Sequence, residues 1–247
     1  MTNLFEGSTL NNIKDLIFSE DQIKFISACI IQSLSYLRNE KIISRDVTMN
    51  NIIMDKKRYL NLIDFSFSIN YDNKNDKNTF LVISPIDSSP ETNDFNKLLY
   101  DYNSDYYRLG VIIYYLIFKK NINIIKNERN LTDIIIDSNN IKNYSSSCID
   151  FLKKLIINDF RKRIGFKSIN ELKNHYWFKE FDWKKFEKRK FNSPLGFIPM
   201  KKKRRCKSYN PNEKKTNSFN FNKIILRYNF VNKQIIRNIL KPSEKFR

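Results

Sequence analysis

Ser44-Arg45-Asp46-Val47-Thr48-Met49-Asn50-Asn51, followed after a short apolar stretch by Asp64-Phe65-Ser66, is the part of this 247-residue sequence from which the fold follows. Asp46 precedes Asn51 by five residues, and Asp64 closes the run Leu60-Asn61-Leu62-Ile63. Ile52-Ile53-Met54 and that run flank Asp55-Lys56-Lys57-Arg58, which reads as a hairpin with a polar turn. Asp46 and Asn51 therefore lie just before the first strand, and Asp64 lies just after the second. Taken singly, each is an ordinary loop carboxylate or amide. Together they suit phosphoryl transfer, which needs one carboxylate to orient a hydroxyl, plus an amide oxygen and a second carboxylate to hold Mg²⁺ on the phosphates.

Around the hairpin the pattern is helical. Ser19-Glu20-Asp21-Gln22 reads as a capping box, and Ile23, Ile26, Ile30, Leu34 and Leu37 continue it at helical spacing for about 18 residues. Ser104-Asp105 predicts the start of a second, buried helix running through Phe118, and Ser147 the start of a third to about Asn158. Weaker helical patterns follow around 131–137 and 168–175, whereas 67–88 reads as a long loop. The expected fold class is mainly α, a helical core with one short β-hairpin.

Charge divides the chain. The formal net charge is +19, yet residues 184–247 hold 20 Lys/Arg and 3 Asp/Glu, leaving residues 1–183 with 25 and 23. The basicity thus belongs to a C-terminal tail, in which Pro194, Gly196, Pro199 and the run Lys201-Lys202-Lys203-Arg204-Arg205 break the helical texture from about Phe191 onward. Two regions are expected, 1–190 and an extended basic tail over 191–247. Such a tail suits an acidic membrane surface or an acidic protein partner. A near-neutral core without a base-reading motif argues against specific nucleic-acid recognition. Three widely spaced cysteines, Cys29, Cys148 and Cys206, make neither a disulfide framework nor a zinc site, and one histidine, His175, excludes His-based triads. No signal peptide opens the sequence, and the apolar run Leu109–Phe118 is too short to span a bilayer. The expected location is cytoplasmic, or nuclear or membrane-peripheral through the tail.

Five motifs in one order resemble the eukaryotic protein kinases. After the Asp46–Asn51 loop and Asp64-Phe65-Ser66 come three more: Ser89-Pro90-Glu91 resembles Ala-Pro-Glu, Asp105-Tyr106-Tyr107-Arg108-Leu109-Gly110 resembles Asp-x-Trp-Ser-x-Gly, and Asp159 to Gly165 resembles Asp-Pro-x-x-Arg-Leu-Gly. The similarity covers roughly residues 5–190, the C-lobe. Asn174-His175-Tyr176-Trp177-Phe178, Phe181-Asp182-Trp183 and Leu195-Gly196-Phe197-Ile198-Pro199 resemble AGC kinases, the last with a likeness to the small YANK group. Carried over by position, the resemblance makes Asp46 the catalytic base and Asn51 and Asp64 the Mg²⁺ ligands. With Glu6 and Ile53, these two ligands would also belong to the ATP site. Arg45 is then expected to face a phosphate or acidic group in the activation segment, in which Thr79 is a candidate phosphosite. Asp105 is expected to hold the catalytic-loop backbone, Ser84 to contact Asp46, and Arg163 to pair with Glu91 in a structural role.

The sequence also departs from the pattern. Thr48, in the catalytic set by position, replaces a Lys that contacts the γ-phosphate; Ser44 replaces His or Tyr, and Ser66 replaces Gly. With only Gly7, Gly110, Gly165 and Gly196, these residues contain no Gly-x-Gly-x-x-Gly loop. The resemblance therefore implies an ATP-dependent protein Ser/Thr kinase acting on a protein substrate, represented by a C-lobe whose N-lobe is missing and which is inactive alone. The alternative is a pseudokinase-like scaffold that docks partners or acidic membranes through the basic tail.

Overall fold

A computed structural model describes residues 8–72, 89–92, 101–122 and 143–196. Glu6, Ser84, Thr79, the 131–137 pattern and the run at 201–205 lie outside the described residues. The order of elements is α1 (Glu20–Asn39), β1 (Ile42–Ile43), β2 (Ile52–Met54), β3 (Leu60–Leu62), β4 (Ile69–Asn70), α2 (Tyr102–Phe118), α3 (Ser146–Leu155), α4 (Asn170–Lys173) and α5 (Trp183–Glu187). Single 3₁₀ turns form at Leu10–Asn12, Pro90–Thr92 and Tyr176–Phe178.

Helix α1 starts where its capping chemistry places it. The Ser19 hydroxyl accepts the Gln22 N–H at 3.3 Å, and the Gln22 side chain accepts the Ser19 N–H at 3.0 Å. Acidic Glu20 and Asp21 complement the positive end of the helix dipole, and Arg38 the negative end. The helix is buried on several sides, with Ile23, Phe25, Ile26, Ile30, Ile31, Leu34 and Leu37 all inaccessible. Its buried hydroxyls at Ser27 and Ser33 donate back to the carbonyls of Ile23 and Cys29, so neither is left unsatisfied.

The hairpin forms in the register Ile52↔Leu62, Ile53↔Asn61, Met54↔Leu60. Its turn is fixed by Asp55, whose carboxylate accepts the N–H groups of Lys57 and Tyr59 at 2.8 and 3.1 Å. A second antiparallel pair, β1 with β4 in the register Ile42↔Asn70 and Ile43↔Ile69, was not visible in the sequence. Residues 69–70 therefore do not belong to a featureless loop. Two-residue strands carry too little alternation to read as strands, and this pair exists because its two halves meet across the fold.

Two helix starts also fall elsewhere than expected. Asp101, not Ser104, caps α2, accepting the Tyr102 N–H at 2.6 Å, which leaves Asp105 inside the first turn with its carboxylate free for another use. Ser145 rather than Ser147 caps α3, accepting the Cys148 N–H at 3.2 Å. The 168–175 pattern yields only the short α4, followed by a turn that the His175 ring caps by accepting the Trp177 N–H at 3.2 Å. His175 is buried against Phe151, and that burial holds its pKa below the ordinary value.

Packing does not stop at Phe191. The Phe191 carbonyl accepts the Tyr59 hydroxyl at 2.8 Å, Gln22 donates to the Pro194 carbonyl at 3.1 Å, and Leu195 is fully buried. Arg189 pairs with Asp55 and covers the Tyr59 ring. The beginning of the tail thus clasps the hairpin turn. Among the described residues, no helix is long and apolar enough to cross a membrane.

Helices α2 and α3 meet at Gly110. A Cβ there would lie 2.7 Å from Ile156 Cγ2 and 2.9 Å from Leu155 Cβ, and the latter atom cannot swing aside. Gly110→Ala is expected to destabilise the chain by about 1–2 kcal/mol, overpacking outweighing the better helix propensity of Ala. The urea midpoint should fall with an unchanged slope.

Candidate active site

The strands aim two loops at one another. The 44–51 loop connects β1 to β2, and Asp64 begins the connection from β3 to β4. The Ile63 N–H donates to the Asn51 carbonyl at 2.7 Å, stitching the two loops together at the open end of the hairpin. In front of them, Ser8 and Thr9 run beside β2, the Ser8 carbonyl accepting the Met54 N–H at 3.0 Å and Thr9 bridging Ile53. Ile53 is buried but joins neither of the two apolar clusters of the fold.

Asp46 is half-buried. Asn51 Nδ2 donates to its Oδ2 at 2.6 Å and to its carbonyl at 3.2 Å, and the Asn51 N–H closes a turn onto the Thr48 carbonyl at 3.0 Å. With Nδ2 committed twice, the amide oxygen of Asn51 is turned away from Asp46. Burial raises the Asp46 pKa above its ordinary value; the Arg108 charge and the Asn51 hydrogen bond oppose the rise, and the Asp64 charge adds to it. Asp46 and Asp64 are thus electrostatic neighbours. Asp64 occupies a left-handed backbone conformation (φ +67°), and its Oδ1 accepts both the N–H and the hydroxyl of Ser66, at 3.3 and 2.7 Å.

Beneath the loop, Asp105 is 2% exposed and accepts the Ser44 N–H at 2.8 Å and the Arg45 N–H at 3.0 Å, one on each carboxylate oxygen. Arg45 is itself buried with φ +60°, and its Nε donates to the Phe67 carbonyl at 2.6 Å, tying the loop to the segment after Asp64. Ser44 is fully buried, and its carbonyl accepts the Ser68 hydroxyl at 3.3 Å. Farther away, Arg163 meets Glu91 through two parallel contacts of 2.6 and 3.0 Å. Its remaining hydrogens go to the carbonyls of Asn103 and Ile157, with the Tyr107 ring 4.9 Å from its centre. Both side chains are nearly inaccessible, so Glu91→Gln should destabilise the chain by about 3–5 kcal/mol by stranding a buried guanidinium. A stability loss below about 1 kcal/mol in chemical denaturation would contradict this.

The structure brings Asp46, Asn51, Asp64, Arg45 and Asp105 together, with Thr48 and Ile53 on the same loop and strand; Glu91 and Arg163 form a separate buried pair. It adds Arg108, which the sequence reading passed over inside an apolar helix. The signal was present: a charged residue stands where the motif has Ser. Oxygen donors from one amide and one carboxylate suit Mg²⁺, which takes few protein ligands and completes its shell with phosphate and water. Among the described residues, no group of three or more His, Cys, Asp or Glu side chains is placed to hold a metal ion.

Burial lifts the Asp105 pKa from 3.8 to about 6, against the opposing Ser44 and Arg45 hydrogen bonds and the Arg108 charge. Between those values the folded chain keeps a proton that the unfolded chain has released. Stability from this group therefore falls as pH rises from about 4 to 6. Asp105→Asn cannot titrate, so the stability difference between wild type and variant should change by ~3 kcal/mol across that window, read from urea midpoints at each pH. A difference independent of pH would show that Asp105 titrates normally.

Comparison with known proteins identifies the family. The model of the protein kinase domain matches residues 1–178. Serine/threonine-protein kinase sgk-1 of Caenorhabditis elegans is 32% identical over 191 residues, 75% of this chain and 40% of that protein. A probable serine/threonine-protein kinase of Dictyostelium discoideum is 29% identical over 192 residues (76% and 41%), and serine/threonine-protein kinase N2 of Danio rerio 24% over 197 (78% and 20%). The chain spans less than half the length of these curated relatives. Matched over residues 1–178 and carrying the paired loops described above, the chain belongs to the protein kinase domain family.

Proposed function

We propose that these residues form the lower half of an AGC-like Ser/Thr kinase site, which transfers the γ-phosphoryl group of ATP to a protein hydroxyl. The observation that carries the reading is the Asn51 amide, which grips the Asp46 carboxylate at 2.6 Å while its own oxygen faces elsewhere. In this reading Asp46 accepts the hydrogen bond of the substrate hydroxyl and sets its line of approach. Asn51 and Asp64 hold Mg²⁺, which when bound supplies charge neutralisation on the phosphates. Arg45, through Phe67, keeps the two loops in register, and Asp105 fixes the backbone from below. Ile53, buried beside the Thr9 bridge, offers an apolar floor to the adenine, and the resemblance assigns Glu6 to the same site. Ser/Thr preference is supported by the names of the relatives, serine/threonine-protein kinases in each case.

Thr48 favours a second reading. Without the loop Lys, a phosphate clamp is lost, and loss of one such donor costs on the order of 10²-fold in rate. A pseudokinase-like scaffold, binding partners rather than turning over, is the alternative that follows.

The test has two arms. The 247 residues alone should transfer no phosphate from radiolabelled ATP to mixed Ser/Thr peptides, because they contain no phosphate-covering glycine loop. Grafting the Gly-rich N-terminal half of a relative's kinase domain ahead of Ser8 should give transfer, which Asp46→Asn reduces by about 10³-fold. Labelling by the 247 residues alone, abolished by Asp46→Asn, would overturn the half-site reading. A folded, nucleotide-binding graft without transfer would favour the scaffold.

A further inference from the structure

The 159–167 turn frames a cleft that the candidate active site does not use. The cleft, about 410 Å³, lies between the last turn of α3, the 159–167 turn and α4, and none of Asp46, Asn51 or Asp64 lines it. That volume is ample for a ligand with an apolar body. Short internal contacts hold its frame. The Ile164 N–H donates to the Lys154 carbonyl at 3.1 Å, and buried Arg163 holds the Ile157 carbonyl through Nε and Nη2 at 3.2 and 2.9 Å. Gly165, at φ +96°, donates its N–H to Glu171 Oε2 at 2.8 Å, while Arg38 donates to the carbonyls of Gly165 and Lys167 at 2.9 and 3.2 Å. The walls are therefore set before any ligand arrives.

Charge on the lining is one-sided. Five of its residues are Lys or Arg and only Glu171 is acidic, whereas residues 1–183 as a whole are nearly balanced. Arg163 is spent on Glu91, and Lys154 and Arg161 pair with Asp150 and Asp159. Lys162 and Lys167 are exposed and make no ion pair or side-chain hydrogen bond among the described residues. Asp159 senses the charge of Lys162, but its Oδ1 is already held by the N–H and Nε of Arg161 at 3.1 and 3.3 Å. His175 adds no charge to this face, since its Nδ1 accepts the Trp177 N–H and its Nε2 meets Asp150. The rest of the lining is apolar, with Ile157 and Ile164 half-buried and Phe166 exposed. A lone exposed phenylalanine means little. Set in a fixed cleft beside two unpaired ammonium groups, it calls for an apolar side chain flanked by separate negative charges.

We propose that this cleft docks an acidic peptide segment of a partner protein. A bulky apolar side chain would sit on Ile157, Ile164 and Phe166, with flanking Asp or Glu carboxylates on Lys162 and Lys167. Separate carboxylates suit the lining better than one compact phosphate, because Arg161 and Arg163 are committed elsewhere and leave no free planar fork. The site is independent of what Asp46 does. It also differs from docking through the basic tail, since every lining residue precedes Lys184.

Fluorescence anisotropy on the 247-residue chain tests it, with a pool of labelled decapeptides carrying Asp or Glu around one central Phe. Saturable binding is expected, weakened about tenfold or more when the central Phe becomes Gly. Lys162→Glu combined with Lys167→Glu should weaken it by about tenfold at an unchanged urea midpoint, both side chains being on the surface. Changing Lys201-Lys202-Lys203-Arg204-Arg205 to Gln should leave the Phe-dependent binding as it was. The peptide-side change reads the site even where the double variant proves unstable. Absence of binding, indifference to the central Phe, survival of the charge reversal or loss with the 201–205 run would each overturn the proposal. Tighter binding of a pool with one phosphoserine in place of the Asp and Glu residues would overturn the assignment to carboxylates.

Discussion

The buried carboxylate of Asp105, with one oxygen on the Ser44 N–H and the other on the Arg45 N–H, is the contact through which the helical core governs the loop above it. Backbone amides in a loop are normally satisfied by water or local turns, which fix little. Here two of them are satisfied from a helix whose own position is set by close packing, down to the missing Cβ of Gly110 against Leu155 and Ile156. The loop therefore inherits the rigidity of the core. Burial pushes Asp105 toward its neutral form, and two amides plus Arg108 push back. The anchor is as strong as that balance of opposing terms, each of which is individually large.

From this anchor the geometry propagates by short steps. Arg45 carries it to the Phe67 carbonyl, Ser44 to Ser68, and the β1–β4 pair closes the circuit behind both loops. The left-handed conformations of Arg45 and Asp64 are tolerated because each residue is held on both sides by such contacts. Neither residue is glycine, so the conformation costs energy that the surrounding hydrogen bonds offset. The arrangement gathers Asp46, Asn51 and Asp64 at the open end of the hairpin, where the Asn51 amide holds the Asp46 carboxylate and the Ile63 N–H holds the Asn51 carbonyl.

What the sequence revealed depended on the range of the interactions. The capping box at Ser19, the hairpin and its Asp55 turn, and the apolar stripe of α1 are local, and local patterns were readable. The cap of α2 was misplaced because Asp105 looks like an N-terminal acid, and only its distant partners Ser44 and Arg45 explain why it does not cap. The β1–β4 pair was invisible because it joins residues 42–43 to 69–70. The candidate site was legible as a set of residue types at set spacings, yet its electrostatic environment was not, since Arg108 precedes the apolar run Leu109–Phe118 and spacing does not say what it faces. Spacing names the participants; only the fold shows which charges face them.

The start of the tail shows the same division between composition and place. Counted by charge, residues after Lys184 belong to a basic extension, and Arg189 is one of its members. In the structure Arg189 is mostly buried, paired with Asp55 and lying over the Tyr59 ring, while Phe186 and Phe191 pack against Phe25. Asp55 is the residue that shapes the hairpin turn, so this cation acts on the fold and not on an anionic partner. The hairpin is clasped at its turn by the tail and at its open end by the Ile63–Asn51 hydrogen bond. A two-stranded hairpin is marginal by itself. Held at both ends, it becomes a firm spacer between Asn51 and Asp64, so the first residues of the tail belong structurally with the hairpin rather than with the charge run that follows them.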